Sequence, residues 1–191
     1  MLLGGKTIIE EVNNGNIMIS PFDSNRVGPN SYNLSLDNKL LVYGPSVIDR
    51  LTGDGVQPYI PEYIIDMKKD NPTSEIIIPE EGLILEPGIV YLGKTKERTF
   101  TEKYVPKLEG RSSTGRLGLL IHVTAGLGDI GFDGYWTLEL AVMQRLRIYP
   151  GAEVCQVCFE TVSDNTIKYN GKYQNNDGIQ ASRMYRDFEL K

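Results

Sequence analysis

Histidine and cysteine are scarce in this sequence. Its 191 residues include one histidine, His122, and two cysteines, Cys155 and Cys158. A single histidine excludes metal sites built from several histidines and leaves any histidine triad with one candidate. The cysteines form a C-x2-C pair, but the surrounding residues are typical of a strand, where residues three apart point to opposite faces. We therefore expect two buried or half-buried thiols and no zinc site.

Long hydrophobic runs and a net positive charge are also missing. No apolar run approaches the roughly 18 residues of a membrane span, and residues 1–10 lack the features of a signal peptide. Because no disulfide framework is present, we expect a reducing, cytoplasmic location. The 20 basic and 25 acidic residues give a formal net charge of -5, which argues against general binding of a nucleic-acid backbone. A small phosphorylated ligand held by a few local cations is compatible with that charge.

Turn-forming residues indicate the fold class. Glycine, proline, asparagine and aspartate recur at intervals of about 8–15 residues after residue 25, which is typical of an all-β sandwich or barrel. Between them, β-rich segments predict strands at 32–36, 40–42, 75–78, 89–94, 119–123, 135–142, 153–160 and 166–169. The pattern also predicts a helix over 6–13 and a second, short helix over 112–117. The length fits one mostly β domain spanning 1–191.

The polar C-terminal segment has two interpretations. Residues 169–178 read YNGKYQNNDG, with many hydrogen-bonding side chains and few core formers. Such a segment is either a mobile terminus or one that orders over a bound ligand. In the second case, interleaved aromatic and cationic side chains would suit a base and a phosphate.

The densest chemical signal lies in residues 109–118, which read EGRSSTGRLG. Two arginines, two serines and three glycines open a short helix, so that backbone N–H groups, hydroxyls and guanidinium groups are able to surround a phosphate. Gly-Ser-Arg loops also occur on many surfaces without that role. On this pattern alone, both interpretations stay open.

Glu139 is the only carboxylate of the predicted strand 135–142. Alternation places the even-numbered residues, from Trp136 to Val142, on one face and the odd-numbered residues on the other. A solvated surface glutamate and a general base in a pocket are both compatible with this position. Upstream, a glycine-spaced turn allows a ligand to approach the backbone closely and presents Asp129.

Together these blocks resemble the dCTP deaminase family, which is related to the trimeric dUTPases. The family signature has a G-R-S-S-x-x-R-L-G-L block, an H-x-T-A-x-x-x-D-x-G block and a strand ending in L-E. This sequence carries the three in order, at 110–119, 122–131 and 135–139. The resemblance extends to NSYNLSL at 30–36, LEPG at 85–88 and KYQ at 172–174, and so covers essentially the whole chain.

The resemblance implies a fold, a reaction and a set of partners. The fold would be mainly β: a distorted antiparallel β barrel or jelly-roll of the dUTPase-like type, with a short N-terminal helix and a few short helices. The chain would form a homotrimer with active sites between subunits and would bind dCTP and dUTP, not nucleic acid or a membrane. It would hydrolyse dCTP to dUTP and ammonia without zinc or any metal held by protein ligands. Mg2+ would arrive bound to the substrate triphosphate.

Catalytic roles follow from the same resemblance. Glu139 would take a proton from water, deliver protons toward the ring and let ammonia leave. Ser112, Arg116 and the carbonyl of Ala125 would position that water and stabilise charge. His122 matches a histidine position of the family but not a catalytic one, so we expect it to be a structural or interface residue.

The resemblance also assigns the nucleotide contacts. Asp129 would contact the deoxyribose 3′-hydroxyl, residues 137–139 the cytosine, and residues 169–191 would close over the active site and the triphosphate. The implied substrate-binding residues are Arg111, Ser112, Ser113, Thr114, Gly115, Arg116, Asp129, Thr137, Leu138, Glu139, Gln156, Tyr169, Lys172 and Asn176.

A few positions bear on whether dUTP is hydrolysed further. The pair Ala125-Gly126 resembles the bifunctional members that form dUMP and pyrophosphate, whereas deaminase-only members typically carry Ala-His there. Gly115 and Gln156 also fit the bifunctional pattern. A glycine in that turn would make room for a nucleophilic water near the α-phosphate. These positions favour the bifunctional type.

Three departures from the family pattern leave the second step and one contact of the C-terminal segment open. Gly128 replaces a bulky residue, Asn176 stands where glutamine is usual, and Asn33 where aspartate is common. Two other functions also remain as alternatives. A plain dUTPase would not need Glu139 as a base, and a non-catalytic nucleotide-binding regulatory trimer would not need Ser112, Arg116 and Glu139 together.

Overall fold

A computed structural model describes residues 1–44, 63–163 and 165–189 of the chain. The described residues form eleven strands, three α-helices and one 3-10 turn. The strands are β1 (Ile17–Ser20), β2 (Tyr32–Ser35), β3 (Lys39–Tyr43), β4 (Thr73–Ile77), β5 (Leu83–Leu85), β6 (Tyr91–Thr101), β7 (Tyr104–Gly110), β8 (Leu119–Leu120), β9 (Asp133–Val142), β10 (Leu146–Ile148) and β11 (Glu153–Thr161). The helices are α1 (Gly5–Asn13), α2 (Ser112–Gly115) and α3 (Arg186–Glu189), and the 3-10 turn is Ser24–Arg26.

Antiparallel pairing joins the described strands into three sheets. The largest has the order β4-β3-β6-β9-β8, and β1 pairs with the second half of β6. A second sheet has the order β2-β11-β7, and β10 pairs with β5. The predicted fold class is confirmed, because the structure is a curled, mainly β antiparallel arrangement with few helices.

Side chains of β9 alternate between the core of the domain and its outward face. Every even-numbered side chain from Trp136 to Val142 is buried, and every odd-numbered one from Tyr135 to Ala141 is half-buried. The predicted assignment of faces is therefore confirmed. The core beneath β9 is completed by large apolar side chains of other strands, among them Tyr32, Tyr91 and Phe159.

Several sequence predictions of secondary structure need correction. The strand predicted over 119–123 covers only Leu119–Leu120, and β1, β5, β7 and β10 were not predicted. The predicted strand 166–169 does not form, because Tyr169 donates one backbone hydrogen bond to the Ile130 carbonyl (2.7 Å) and none of the described strands pairs with the segment. Ile167, which suggested a strand, is 92% exposed. The second helix is also shorter than predicted, since it ends at Gly115.

The C-terminal segment folds back along the open edge of β9. The Asn175 N–H donates to the Asp133 carbonyl (2.9 Å), and the Gln180 N–H donates to Oγ1 of Thr137 (3.1 Å). The side chain of Asn176 is buried, and its Oδ1 accepts from the Tyr135 N–H over 3.0 Å. These bonds satisfy backbone and side-chain groups of β9, so the segment is docked on the domain.

Both cysteine thiols are free and shielded. Cys155 is completely buried and Cys158 is half-buried, as the strand pattern predicted. Burial raises the pKa of both thiols, and the nearby Glu97 carboxylate adds to the effect at Cys155. Neither is therefore a thiolate at neutral pH, which removes them as nucleophiles. None of the helices described is long and apolar enough to cross a membrane.

Candidate active site

A pocket of about 310 Å3 lies on the outward face of β9, and we call it the Glu139 pocket. Six residues expected at the site line it: Ala125, Asp129, Thr137, Glu139, Tyr169 and Asn176. The lining also includes Tyr43, Tyr135 and Trp136, which were not predicted as site residues, and Tyr173 and Gln180 of the C-terminal segment. The C-terminal segment thus contributes part of the wall.

Glu139 is held in place by backbone groups. Its N–H donates to the Ile121 carbonyl over 3.0 Å, and its Oε2 accepts from the Val123 N–H over 2.8 Å. One carboxylate oxygen is therefore anchored at the mouth of the glycine turn, defined as residues 122–132. A carboxylate fixed in this way beside a pocket is a candidate for a general base.

The glycine turn approaches its neighbours more closely than a side chain would allow. The Leu108 N–H donates to the Gly126 carbonyl over 2.7 Å, and the Gly128 N–H donates to the Pro106 carbonyl over 2.8 Å. A Cβ on Gly126 would lie 2.7 Å from the Leu108 carbonyl oxygen, and one on Gly128 would lie 2.3 Å from Cη2 of Trp136. Glycine at both positions is therefore what keeps the turn against β7.

His122 packs on this turn. A Cβ on Gly126 would lie 2.7 Å from Nε2 of His122, and Nδ1 of His122 is buried with no hydrogen-bond partner among the described residues. The imidazole is not one of the residues that line the Glu139 pocket. Its place agrees with the structural role expected from the sequence.

A second pocket, of about 390 Å3, is built on the arginine loop (residues 110–118), and we call it the arginine pocket. It is lined by Arg111, Ser112, Ser113, Arg116 and Gln156 together with Gly28, Pro29, Ser31 and Asn33. Cationic and hydroxyl side chains on one loop make this pocket chemically suited to an anion.

Two side chains fix the arginine loop to β11. Oγ1 of Thr114 is within hydrogen-bond distance of the Arg111 and Val154 carbonyls, at 2.9 and 3.1 Å. Gln156 donates through Nε2 to the Gly110 carbonyl (2.9 Å) and accepts from Oγ of Ser31 (2.6 Å). Both side chains are therefore engaged in holding the loop.

The expected site residues are thus divided between two places in one chain. Glu139 and Ala125 line the first pocket, Ser112 and Arg116 line the second, and the two pockets share no lining residue. Within one chain, the expected catalytic residues therefore line two different pockets.

Three other expected residues, Leu138, Gly115 and Lys172, line neither pocket. The Leu138 side chain is completely buried, so only its backbone is available to a ligand. Gly115 is exposed, and a Cβ added there would meet no heavy atom within 4 Å. Lys172 pairs with Asp187 of α3 over 2.7 Å, within the C-terminal segment. Asn176 faces β9 through its bond with the Tyr135 N–H.

The described residues contain no group of three or more histidine, cysteine, aspartate or glutamate side chains arranged to hold a metal ion. The cationic groups of the arginine pocket are suited to phosphate oxygens, which are also the oxygens that Mg2+ prefers.

Comparisons with known proteins show the family to which the chain belongs. A family profile described as dCTP deaminase-like matches residues 2–162. The chain is 54% identical to the dCTP deaminase, dUMP-forming, of Clostridium beijerinckii, with 99% of each chain covered. It is 52% identical to the protein of the same name in Hathewaya histolytica, covering 99% of this chain and 100% of that one. This chain belongs to the dCTP deaminase-like family.

A solved structure shares the fold. The crystal structure of 2′-deoxycytidine 5′-triphosphate deaminase from Agrobacterium tumefaciens superposes with a TM-score of 0.60 at 20% identity. The match covers 84% of this chain and 48% of that one, so this chain spans about half of its length. The likeness supports the curled β architecture and extends no further.

Proposed function

We propose that this protein is a dUMP-forming dCTP deaminase. It replaces the amino group of the cytosine ring with an oxygen from water, releases ammonia, and hydrolyses the resulting dUTP to dUMP and pyrophosphate. The observation that carries the proposal is the anchored carboxylate of Glu139 beside a pocket that also contains Asp129 and Thr137. Full-length relatives named dCTP deaminase, dUMP-forming, support this function over a plain dUTPase or a non-catalytic trimer.

Glu139 acts as the proton carrier of the deamination. The carboxylate accepts a proton from water while the water oxygen bonds to the ring carbon that bears the amino group. The proton then passes to the departing nitrogen, the second proton of the water moves from the added oxygen to ring nitrogen N3, the C–N bond breaks, and ammonia leaves. The Val123 N–H on Oε2 fixes the orientation of the carboxylate throughout. Ala125 lines the same pocket, and in this proposal its carbonyl orients the water.

The glycine turn supports the second step. Gly126 is buried, and its missing side chain is what allows the turn to lie against Leu108 and His122. A histidine at this position would force the turn to move. With glycine, the backbone of the turn stays packed against Leu108 and His122, which leaves room for a water to attack the α-phosphate of dUTP.

The triphosphate is assigned to the arginine loop. Arg111, Arg116, Ser112 and Ser113 line the arginine pocket and supply charged and hydroxyl donors for phosphate oxygens. Mg2+ enters with the substrate and neutralises part of the phosphate charge. Tyr169, Lys172 and Asn176 belong to the segment that covers the nucleotide.

A second copy of the chain completes each site in this proposal, within a homotrimer. Separation of Glu139 from Ser112 and Arg116 supports that assembly. Several exposed apolar side chains lie on β8 or near it in the sequence and the sheet. Exposed apolar patches often mark protein–protein surfaces. The side chains are Leu117, Leu120, Val123, Leu127 and Met143. We also assign the enzyme to the cytoplasm, where unpaired thiols such as those of Cys155 and Cys158 persist.

Product analysis tests the proposed function. The protein is incubated with dCTP and Mg2+, and ammonia, dUTP, dUMP and pyrophosphate are separated over time. We expect ammonia, dUMP and pyrophosphate in equal amounts, with little dUTP at any time. Accumulation of dUTP would contradict the second step. Turnover of dUTP without any turnover of dCTP would replace the proposal with a plain dUTPase, and a parallel reaction with CTP measures the preference for deoxyribose.

A further inference from the structure

A network of charged side chains runs from the interior of the domain to the arginine pocket. It begins at Glu97, whose side chain is 1% exposed. The Glu97 carboxylate accepts from the backbone N–H of Ser35 (2.9 Å), from the Ser35 hydroxyl (2.5 Å) and from Nη1 of Arg26. A carboxylate this deeply buried requires such partners. Arg26 is therefore fixed at its inner end.

Arg26 leads from Glu97 to Glu153. Its Nε lies 3.7 Å from Oε1 of Glu153, at the start of β11. The other oxygen of that carboxylate, Oε2, accepts from Nδ2 of Asn33 over 3.0 Å. Both oxygens of Glu153 thus face donors from elements that are distant in sequence.

Glu153 in turn holds Arg111. Nη1 of Arg111 donates to the Glu153 carbonyl over 2.7 Å and lies 3.1 Å from Oε2 of the same residue. These contacts use one nitrogen of a guanidinium that carries five N–H groups. Arg111 lines the arginine pocket, whereas Glu153 does not. Glu153 therefore contacts Arg111 without itself lining the pocket.

We propose that Glu153 is a positioning residue that fixes Arg111 for the triphosphate, with Asn33 as its matched donor. The proposal rests on the proposed function, since it takes the arginine pocket to be the phosphate site. A long arginine side chain loses rotamer freedom when it binds a ligand, and fixing it beforehand removes that cost. Asn33 suits this role because its amide donates to Glu153, whereas an aspartate there would place two carboxylates side by side.

The first test is Glu153→Gln in the full-length protein. We expect KM for dCTP to rise about tenfold and kcat to change by less than about twofold, because the loss affects a charge-assisted contact used in binding. The affinity for inorganic pyrophosphate, measured by calorimetry, falls by the same factor, while the affinity for deoxycytidine is unchanged. The control is Glu75→Gln, which alters the exposed Lys39–Glu75 pair (3.0 Å) outside both pockets and leaves all four quantities as they are.

Exchanging the amide and the carboxylate between positions 33 and 153 distinguishes a specific loss of binding from a loss of folding. Asn33→Asp alone is expected to weaken pyrophosphate binding, and Asn33→Asp combined with Glu153→Gln is expected to recover part of it, because an amide again faces a carboxylate. Unchanged KM and pyrophosphate affinity in Glu153→Gln, or an equal loss of deoxycytidine and pyrophosphate binding, would overturn the proposal. Failure of the proposed function is distinguishable, because the wild-type protein would then not turn over dCTP, whereas the pyrophosphate measurements still test Glu153.

Discussion

Replacing Glu139 with glutamine is expected to abolish release of ammonia from dCTP while nucleotide binding stays nearly unchanged. The glutamine has the same shape and retains an oxygen for the Val123 N–H, which lies 2.8 Å from Oε2 of Glu139. It does not take a proton from water, and a general base typically contributes about 10²–10⁴-fold to the rate. Ammonia release is followed with dCTP in excess, and dCTP binding is measured by calorimetry.

The matched control for this variant is Glu160→Gln. Glu160 is an exposed carboxylate on β11 and lines neither pocket, so the change should leave ammonia release at the wild-type rate. Full deaminase activity in Glu139→Gln would remove Glu139 from the mechanism and refute the assignment of a carboxylate base. Loss of dCTP binding together with activity would indicate a structural role instead.

Restoring a bulky side chain at position 128 is expected to destabilise this protein, although a bulky residue is common there in the family. In Gly128→Ile the new Cβ would lie 2.3 Å from Cη2 of Trp136 and 2.9 Å from the Pro106 carbonyl. Trp136 has little freedom to move, since it is 8% exposed and its Nε1 donates to Oγ1 of Thr99 over 2.9 Å. Overpacking of this kind costs about 3 kcal/mol, which for a chain of this size lowers Tm by about 6–12 °C.

The control and a rescue separate this clash from a general effect of isoleucine. Gly178→Ile introduces the same side chain where no heavy atom lies within 4 Å of the added Cβ, so its Tm should stay close to that of the wild type. Combining Gly128→Ile with Trp136→Val removes the clashing ring and should recover part of the lost Tm. A Gly128→Ile protein with the same Tm as the wild type would show that the turn and Trp136 do not constrain each other.

The local sequence pattern was sufficient to predict the faces of β9 but not the conformation of residues 166–169. The faces of β9 were predictable. When only one face of a strand packs on the core, the alternation of side chains alone decides which of them are buried. The segment 166–169 has comparable β-forming residues, but its backbone partner is the Ile130 carbonyl of a turn and not the edge of a strand. A strand prediction from one segment does not contain that information.

The division of the site was not visible in the sequence for a similar reason. Ser112 and Glu139 belong to neighbouring motifs, yet the arginine loop is fixed to β11 by Thr114 and Gln156, whereas Glu139 faces the C-terminal segment. The role of Glu153 was not predictable, because the pairing of β11 with β2 and with β7 brings Asn33 and Arg111 to it, and no spacing along the chain indicates these contacts.

Mixing two inactive variants tests the shared site most directly, because each active site then needs Glu139 from one copy and Arg116 from another. Glu139→Gln and Arg116→Ala are coexpressed or refolded together in equal amounts, and mixed oligomers are verified by native mass spectrometry. Random mixing places both intact residues at about one quarter of the sites, so ammonia release from dCTP should return to about one quarter of the wild-type rate. Verified mixed oligomers that release no ammonia would contradict a site shared between copies.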